Sequence, residues 1–334
     1  MILSLHMDKK EVVLTGIKPT GDLHIGNYLG AIEPSLEAAK VGGGYFFVAD
    51  LHALNQENSP QKLSRHVWSV AAAWLASGLD PDKHVFYRQS DIGEIAELSV
   101  ILSAITPKRL MNNAHAYKAF GDRNARRGKD PDSGINMGLY TYPILMAADI
   151  LAVQADIVPV GKDQIQHVEI ARDLAGRFNR IYKGQYLTLP NYVLAREVSA
   201  VRGTDGQKMS KSYDNTIPLF TTPEVWEKIV KKIVTDTKVS QPEDSAVFEI
   251  FQSIASKKES AELLADLRSG KIRWGEAKEK LYNAIKDRFG RMSEDYFSWM
   301  DSPEKIRDIF EKGKAEVKPI AQKTLNTVKK ATGL

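Results

Sequence analysis

Residues 12–31 read VVLTGIKPTGDLHIGNYLGA, and three local patterns follow one another in them. Val12, Val13 and Leu14 form a short apolar run whose β-branched members favour a strand. Gly16, Pro19 and Gly21 break that run and turn the chain. Asp22 is placed to cap a helix whose first turns contain Gly26. A glycine inside a helix costs about 0.5–1 kcal/mol relative to alanine, so some close approach should need the missing side chain. A flat or bulky ligand would need it, and the backbone N–H groups of a helix start suit a phosphate. An ordinary strand–turn–helix accounts for this stretch equally well, so the rest of the chain has to decide.

Working outward, the first half alternates strand and helix patterns. Residues 44–50 (GYFFVAD) are an apolar run ending in an acid, 64–79 have helical spacing, and 84–88 (HVFYR) read as a strand. Residues 96–104 read as a helix stopped by Thr106-Pro107. Residues 143–153 read as a buried helix and 156–160 (DIVPV) as a strand. A helix over 163–179 follows, with Ile165, Val168, Ile170 and Leu174 apolar. Residues 121–134 (GDRNARRGKDPDSG) read as a polar, mobile loop whose cations could close over a phosphate or simply face water. This alternation predicts an α/β fold with a parallel sheet covered by helices on both faces. Ligands bind such sheets beyond the carboxyl ends of the strands, which makes Gly16, Asp50 and Gly161 candidates.

After Pro218 only helical patterns remain: 223–238, 245–256, 260–267, 274–289, 295–300 and 303–332, with Thr222 and Ser302 before prolines as caps. The expected organisation is an α/β catalytic domain over 1–218 and a smaller all-helical domain over 219–334.

The chain has 334 residues, 43% hydrophobic and 26% charged, the balance of a soluble globular protein of about two domains. It has no cysteine, which excludes disulfides and cysteine-ligated zinc and fits a cytoplasmic setting. No stretch approaches ~18 consecutive apolar residues, so no membrane span is expected. The N-terminal MILSLHMDKKE is too short and polar for a secretory signal. Residues 301–334 hold eight Lys/Arg against five Asp/Glu, which is +3 of the net +4. A basic helical tail can approach phosphates, and a solvated helix face explains it as well.

A second motif lies at 206–215, GQKMSKSYDN. Lys208 and Lys211, with Ser210 and Ser212, make a compact cationic and hydroxyl-rich patch after a turn. Ammonium groups act most strongly where charge develops in a transition state.

Taken together, His24-Ile25-Gly26-Asn27 and Lys208-Met209-Ser210-Lys211-Ser212 resemble the paired signatures of class I aminoacyl-tRNA synthetases. Asn27 stands where many members carry a second histidine. Within the class, the tryptophanyl and tyrosyl enzymes are most similar. Residues 141–179 (TYPILMAADILAVQADIVPVGKDQIQHVEIARDLAGRFN), together with ADLHAL, resemble the bacterial tryptophanyl branch. The resemblance covers most of the chain and is weaker in 118–132 and in the helical part. It implies a Rossmann-type sheet that binds ATP at the first strand–helix turn.

The resemblance also implies roles. Gly26 would let adenine approach the helix backbone, and His24 and Asn27 would donate to phosphates or ribose. Lys18, Pro19 and Thr20 match an ATP-binding turn in which many relatives have Gln-Pro-Ser; Lys18 puts a donor-only cation there. Gly161, Lys162 and Asp163 match a second ATP-contacting turn, with Lys162 where relatives often have Glu. The backbone at Val198 would meet adenine, although a plain core valine is as good a reading. Lys208, Met209, Ser210, Lys211 and Ser212 would contact ATP, the lysines stabilising departing pyrophosphate. Asp149 would read the indole N–H, Met146 would flank the ring, and Gln164 would hold the α-ammonium with Tyr142, His52 and Gly16 nearby. His52 reads equally well as a structural histidine.

The implied reaction joins L-tryptophan and ATP to tryptophanyl-adenylate and pyrophosphate, then charges tRNA(Trp). Mg²⁺ would be held by the phosphates of ATP, with no zinc and no protein metal cage. Expected partners are tRNA, through the helical domain, and a second copy in a homodimer. Leu98, Ile101, Leu102 and Ile105 could lie at that dimer interface or in the core. A tyrosyl enzyme, another adenylyl transferase and an inactive tRNA-binding paralogue stay open as rivals.

Overall fold

The computed structural model describes residues 11–40, 43–194, 201–235 and 241–334. The strands are β1 Val12–Ile17, β2 Gly43–Val48, β3 Val85–Arg88, β4 Ile157–Val160 and β5 Asn191–Leu194. They form one parallel sheet in the order β3-β2-β1-β4-β5. Between the strands run α1 Ile25–Asn27, a π turn over Tyr28–Ile32, α2 Glu33–Ala39, α3 Asp50–Ala53 and α4 Pro60–Ala76. Then come α5 Gly93–Ile105, α6 Lys108–Asn112, α7 His115–Arg126, α8 Met137–Ala152 and α9 Ile165–Ile181. The remainder is helical: α10 Pro223–Lys232, α11 Ala246–Ile254, α12 Lys257–Arg268, α13 Trp274–Met300 and α14 Pro303–Thr332.

Strand alternation divides the core between the two faces of the sheet. Phe46, Val48 and Phe86 pack with Trp74, Ile25 and the helical residues Trp226 and Phe289. Leu14, Phe47 and Tyr87 point the other way, into a core built by α5, α8, α9 and α14. The last helix therefore returns to the sheet: Val317, Ala321, Leu325 and Val328 belong to this second core.

The crevice arises from one detail of register. β1 and β2 pair along their whole length, from Val12↔Gly43 to Ile17↔Val48. β1 and β4 pair only at Val13↔Ile157 and then diverge. The chain goes from β1 to β2 and β3 on one side and reaches β4 and β5 on the other. This is the reversal point at which ligands enter parallel sheets.

Several expectations are corrected. Gly16 does not break the strand; it lies inside β1 opposite Phe47, whose ring occupies the space a side chain at Gly16 would need. Asp22 is not the helix cap, because residues 23–24 stay extended against 217–219 and the helix starts at Ile25. Residues 121–126 continue α7, and buried Asn124 donates to the carbonyls of Pro131 (3.0 Å) and Ser133 (2.8 Å), folding the following turn back. Pro143 lies within α8, which begins earlier under an Asn136 cap. The two helices expected around 274–300 are one, since Phe289 and Ser293 are buried on either side of Gly290. Residues 236–238 of the expected 223–238 helix lie outside the described residues. Thr222 and Ser302 occupy the expected cap positions, without side-chain cap bonds.

Leu98 and Leu102 are core residues of this chain, while Ile101 and Ile105 are partly buried beside them. Among the described residues, no helix is long and apolar enough to cross a membrane.

Candidate active site

The extended segment 217–219 joins the two motifs. Ile25 N–H donates to the Ile217 carbonyl at 3.0 Å, and Leu219 N–H donates to the Leu23 carbonyl at 3.0 Å, with His24 opposite Pro218. This brings the lysine loop over the first helix turn. Lys211 Nζ donates to the Thr20 carbonyl at 2.8 Å. A side-chain carbon on Gly26 would stand 3.0 Å from His24 Nδ1 and 3.5 Å from Met209 Sδ. The missing side chain thus lets the His24 ring and Met209 close on the helix backbone. Burial, and then the charge of Lys211, push the His24 pKa down to about 4, so the imidazole is neutral at pH 7. Asn27 Oδ1 accepts from His24 N–H at 3.1 Å, which leaves the Asn27 amide N–H₂ as the group it offers outward. Lys211 is exposed as a whole yet partly desolvated, which lowers its pKa against the opposing charge of Asp22.

The lysine loop is organised by the last residue of the 206–215 motif. Asn215 is 1% exposed. Its Oδ1 accepts from Ser210 N–H at 2.7 Å, and its Nδ2 donates to Asp205 Oδ1 at 2.7 Å and to the Lys208 carbonyl at 3.1 Å. Gly203 lies so close to Asn215 that a side chain there would collide with it. Met209 is buried, whereas Lys208, Lys211 and Ser212 are exposed, and Ser210 Oγ accepts from Ser212 N–H at 3.3 Å.

Beside this lies a cavity of about 450 Å³ at the β1–β4 divergence, within the range of small-molecule sites. Gly16, Lys18, Phe47, His52, Tyr142, Met146, Asp149, Gly161, Gln164 and His167 line it. Thr15 and Ser35 line it from the α2 side, the buried Thr15 hydroxyl with no hydrogen-bond partner. Lys18 Nζ donates to Gln56 Oε1 at 3.0 Å, and burial lowers its pKa. Pro19 is buried and Thr20 exposed on the turn after β1. Gly161, Lys162 and Asp163 form the turn after β4, closed by Gln164 N–H donating to the Gly161 carbonyl at 3.0 Å. Val198 lies outside the described residues.

Asp149 is 1% exposed. His52 Nε2 is 2.9 Å from Asp149 Oδ2, and Gln89 Nε2 donates to Oδ1 at 2.7 Å. Gln89, fully buried, is itself held by accepting from Leu51 N–H at 3.0 Å. Burial raises the Asp149 pKa, while hydrogen bonds from His52 and Gln89 oppose the rise. Each carboxylate oxygen can accept more than one bond, so a further N–H from the cavity can be received. Asp50, by contrast, is a structural acid. Its oxygens accept from Ser90 N–H (2.9 Å), Ser90 Oγ (2.5 Å) and Leu51 N–H (3.0 Å), tying the end of β2 to that of β3.

Gly16, Met146, Tyr142, His52, Asp149 and Gln164, expected around tryptophan, and Lys18 and Gly161, expected around ATP, line one cavity. Gln89, His167 and Asn215 have contacts in the site that the motifs do not assign. Gln89 acts through Asp149 sixty positions away, His167 through Gln164 and Tyr142, and Asn215, the last residue of GQKMSKSYDN, through the loop's internal bonding.

A family model described as tRNA synthetases class I (W and Y) matches residues 7–290. The tryptophan–tRNA ligase of Bordetella parapertussis is 45% identical over 329 residues, covering 96% of this chain and 73% of that protein. The tryptophan–tRNA ligase of Pseudomonas putida is 44% identical over 331 residues, covering 96% and 73%. The crystal structure of tryptophanyl-tRNA synthetase from Campylobacter jejuni complexed with ADP and tryptophan superposes with a TM-score of 0.86. It shows 39% identity and covers 97% of this chain and 100% of that one. With its two motifs joined across the mouth of a parallel-sheet crevice, this chain belongs to the class I tRNA synthetases of the tryptophan and tyrosine group.

Proposed function

We propose that this chain activates L-tryptophan with ATP, giving tryptophanyl-adenylate and pyrophosphate, and then transfers tryptophan to the 3′-terminal adenosine of tRNA(Trp). The observation that carries the choice of tryptophan is Asp149, a buried carboxylate held by His52 and Gln89 on the wall of the cavity. The indole nitrogen is a donor only, so an acceptor fixed at that wall selects it. Phenylalanine would leave the carboxylate without its partner, the kind of loss that gives large discrimination.

In the first step a tryptophan carboxylate oxygen bonds to the α-phosphorus of ATP as the bond to the pyrophosphate oxygen breaks. The carboxylate is already ionised at neutral pH, so no side-chain base is required. The protein's part is positioning and charge stabilisation. Lys208 and Lys211 would neutralise the departing pyrophosphate; Met209, Ser210 and Ser212 would shape the loop around ATP. His24 would offer a neutral N–H and Asn27 an amide N–H to the phosphates or ribose. Gly26 would seat the adenine, with Lys18, Pro19, Thr20, Gly161, Lys162, Asp163 and the backbone at Val198 around the nucleotide. Met146 would flank the indole, and Gln164 would hold the α-ammonium with Tyr142, His52 and Gly16 nearby. Mg²⁺ would arrive on the ATP phosphates and supply further charge neutralisation. Among the described residues no group of three or more His, Asp or Glu is gathered to hold a metal ion.

The remaining parts of the reading are an α/β catalytic unit over 1–218, tRNA contacts from 219–334, a homodimer and a cytoplasmic setting. Amino-acid-dependent pyrophosphate–ATP exchange tests the central claim. Exchange with tryptophan, and none with tyrosine or without amino acid, is expected. Exchange with tyrosine alone would overturn it, and tRNA binding without any exchange would favour an inactive paralogue.

A further inference from the structure

His167 is 3% exposed and lies between two groups that line the cavity. Its Nδ1 is 2.8 Å from Gln164 Oε1, and its Nε2 is 2.5 Å from the Tyr142 hydroxyl. Oε1 of an amide only accepts, so Nδ1 carries the imidazole proton. In the neutral imidazole this leaves Nε2 to accept, with the Tyr142 hydroxyl donating to it. In that state the phenolic proton points to the imidazole. The phenol oxygen and Gln164 Oε1 then each keep acceptor capacity beyond their bond to the imidazole, on two residues that line the cavity.

We propose that His167 is a positioning residue that sets the direction of these hydrogen bonds, so that Tyr142 and Gln164 together present acceptors to the α-ammonium of the substrate. This rests on the reading of the cavity as the tryptophan site. Without the imidazole, the phenol can rotate its proton into the cavity and the amide can turn its N–H₂ there. Either change sets a donor against a cation. The relay selects an amino acid with a free ammonium over an analogue that lacks one.

The test is pyrophosphate–ATP exchange with tryptophan, set beside competitive inhibition by indole-3-propionate, which keeps the indole and the carboxylate and has no ammonium. His167→Ala should raise the tryptophan KM roughly 10–100-fold, the scale of a lost hydrogen bond to a charged group, with a smaller change in kcat. The inhibition constant of indole-3-propionate should stay near its original value. His167→Asn, which retains an N–H for Gln164, should fall between; it also carries the test if the alanine variant does not fold. Tyr142→Phe should add little on the His167→Ala background. Equal weakening of tryptophan and of the analogue would make His167 purely structural and overturn the proposal, as would an unchanged tryptophan KM in His167→Ala. If Tyr142→Phe and Gln164→Met both leave the tryptophan KM unchanged, the ammonium is bound elsewhere. The site reading then fails and takes the proposal with it.

Discussion

The ammonium of Lys211 is hydrogen-bonded to the carbonyl oxygen of Thr20, 2.8 Å away across 191 positions of sequence. The bond joins the lysine loop to the turn after β1. A carbonyl is a weak partner for a partly desolvated cation. Incoming phosphate oxygens offer a stronger one, since charge-assisted bonds are roughly twice as strong as neutral ones.

Lys211→Met should therefore act on the chemical step more than on substrate capture. Removing one preorganised donor from a developing charge typically costs ~10²–10³ in kcat. Steady-state exchange should show a fall of that order with the tryptophan KM little changed. A large rise in tryptophan KM at constant kcat would place Lys211 in ground-state binding instead.

Asp149→Ala should lose selectivity before it loses nucleotide. The variant removes the acceptor for the indole N–H and also strands His52 and Gln89, both buried. Stranded donors cost about 1–3 kcal/mol each, so a lower melting temperature is expected as well. Exchange assays with tryptophan and phenylalanine should show their kcat/KM ratio falling by at least ~10²-fold, since sites built to bond a polar group discriminate by up to ~10⁵. An unchanged ratio would remove Asp149 from the role of indole reader.

The motifs were legible in the sequence because short-range spacing encodes them: a strand, a turn, a glycine in a helix start, two lysines three apart. The parallel sheet followed from the alternation of elements. What stayed hidden depends on contacts between distant residues. Gly16 looks like a strand breaker locally, yet it completes β1 because the Phe47 ring fills the room its side chain would take. Asp22 looks like a cap, yet pairing of residues 23–25 with 217–219 moves the helix start to Ile25. Asn215 closes a patterned motif, but its hold on Ser210, Asp205 and Lys208 appears only when the loop is folded.

The neutral state of His24 has a consequence for acid stability. Its pKa falls from 6.5 to about 4 on folding. Between these values the unfolded chain binds a proton that the folded chain does not, so stability rises with pH across that window and is complete above it. On acidification from pH 7.5 to pH 5 the protein should lose stability that His24→Gln does not lose. Urea unfolding midpoints of both proteins at the two pH values measure this, and parallel shifts would mean that His24 contributes nothing to the pH dependence.

Gly313 tests how tightly α14 is bound to the sheet. A methyl group added there would collide with the carbonyl oxygen of Phe86 in β3. Nearby, the Phe310 and Phe86 rings lie 5.2 Å apart and Val317 is fully buried. On an exposed helix, Gly→Ala would add up to ~1 kcal/mol of stability through helix propensity. At a backbone contact the forced separation should outweigh that gain, because overpacking costs ~1–3 kcal/mol even where side chains can shift and a strand carbonyl can shift less. Gly313→Ala should therefore lower the unfolding free energy by about 1–3 kcal/mol. The Phe310→Ala variant should lose more, about 3–5 kcal/mol, by opening a cavity under the same helix. Denaturant unfolding read by tryptophan fluorescence distinguishes the outcomes. A stabilised Gly313→Ala protein would show that α14 sits farther from β3 than the Phe86 contact requires.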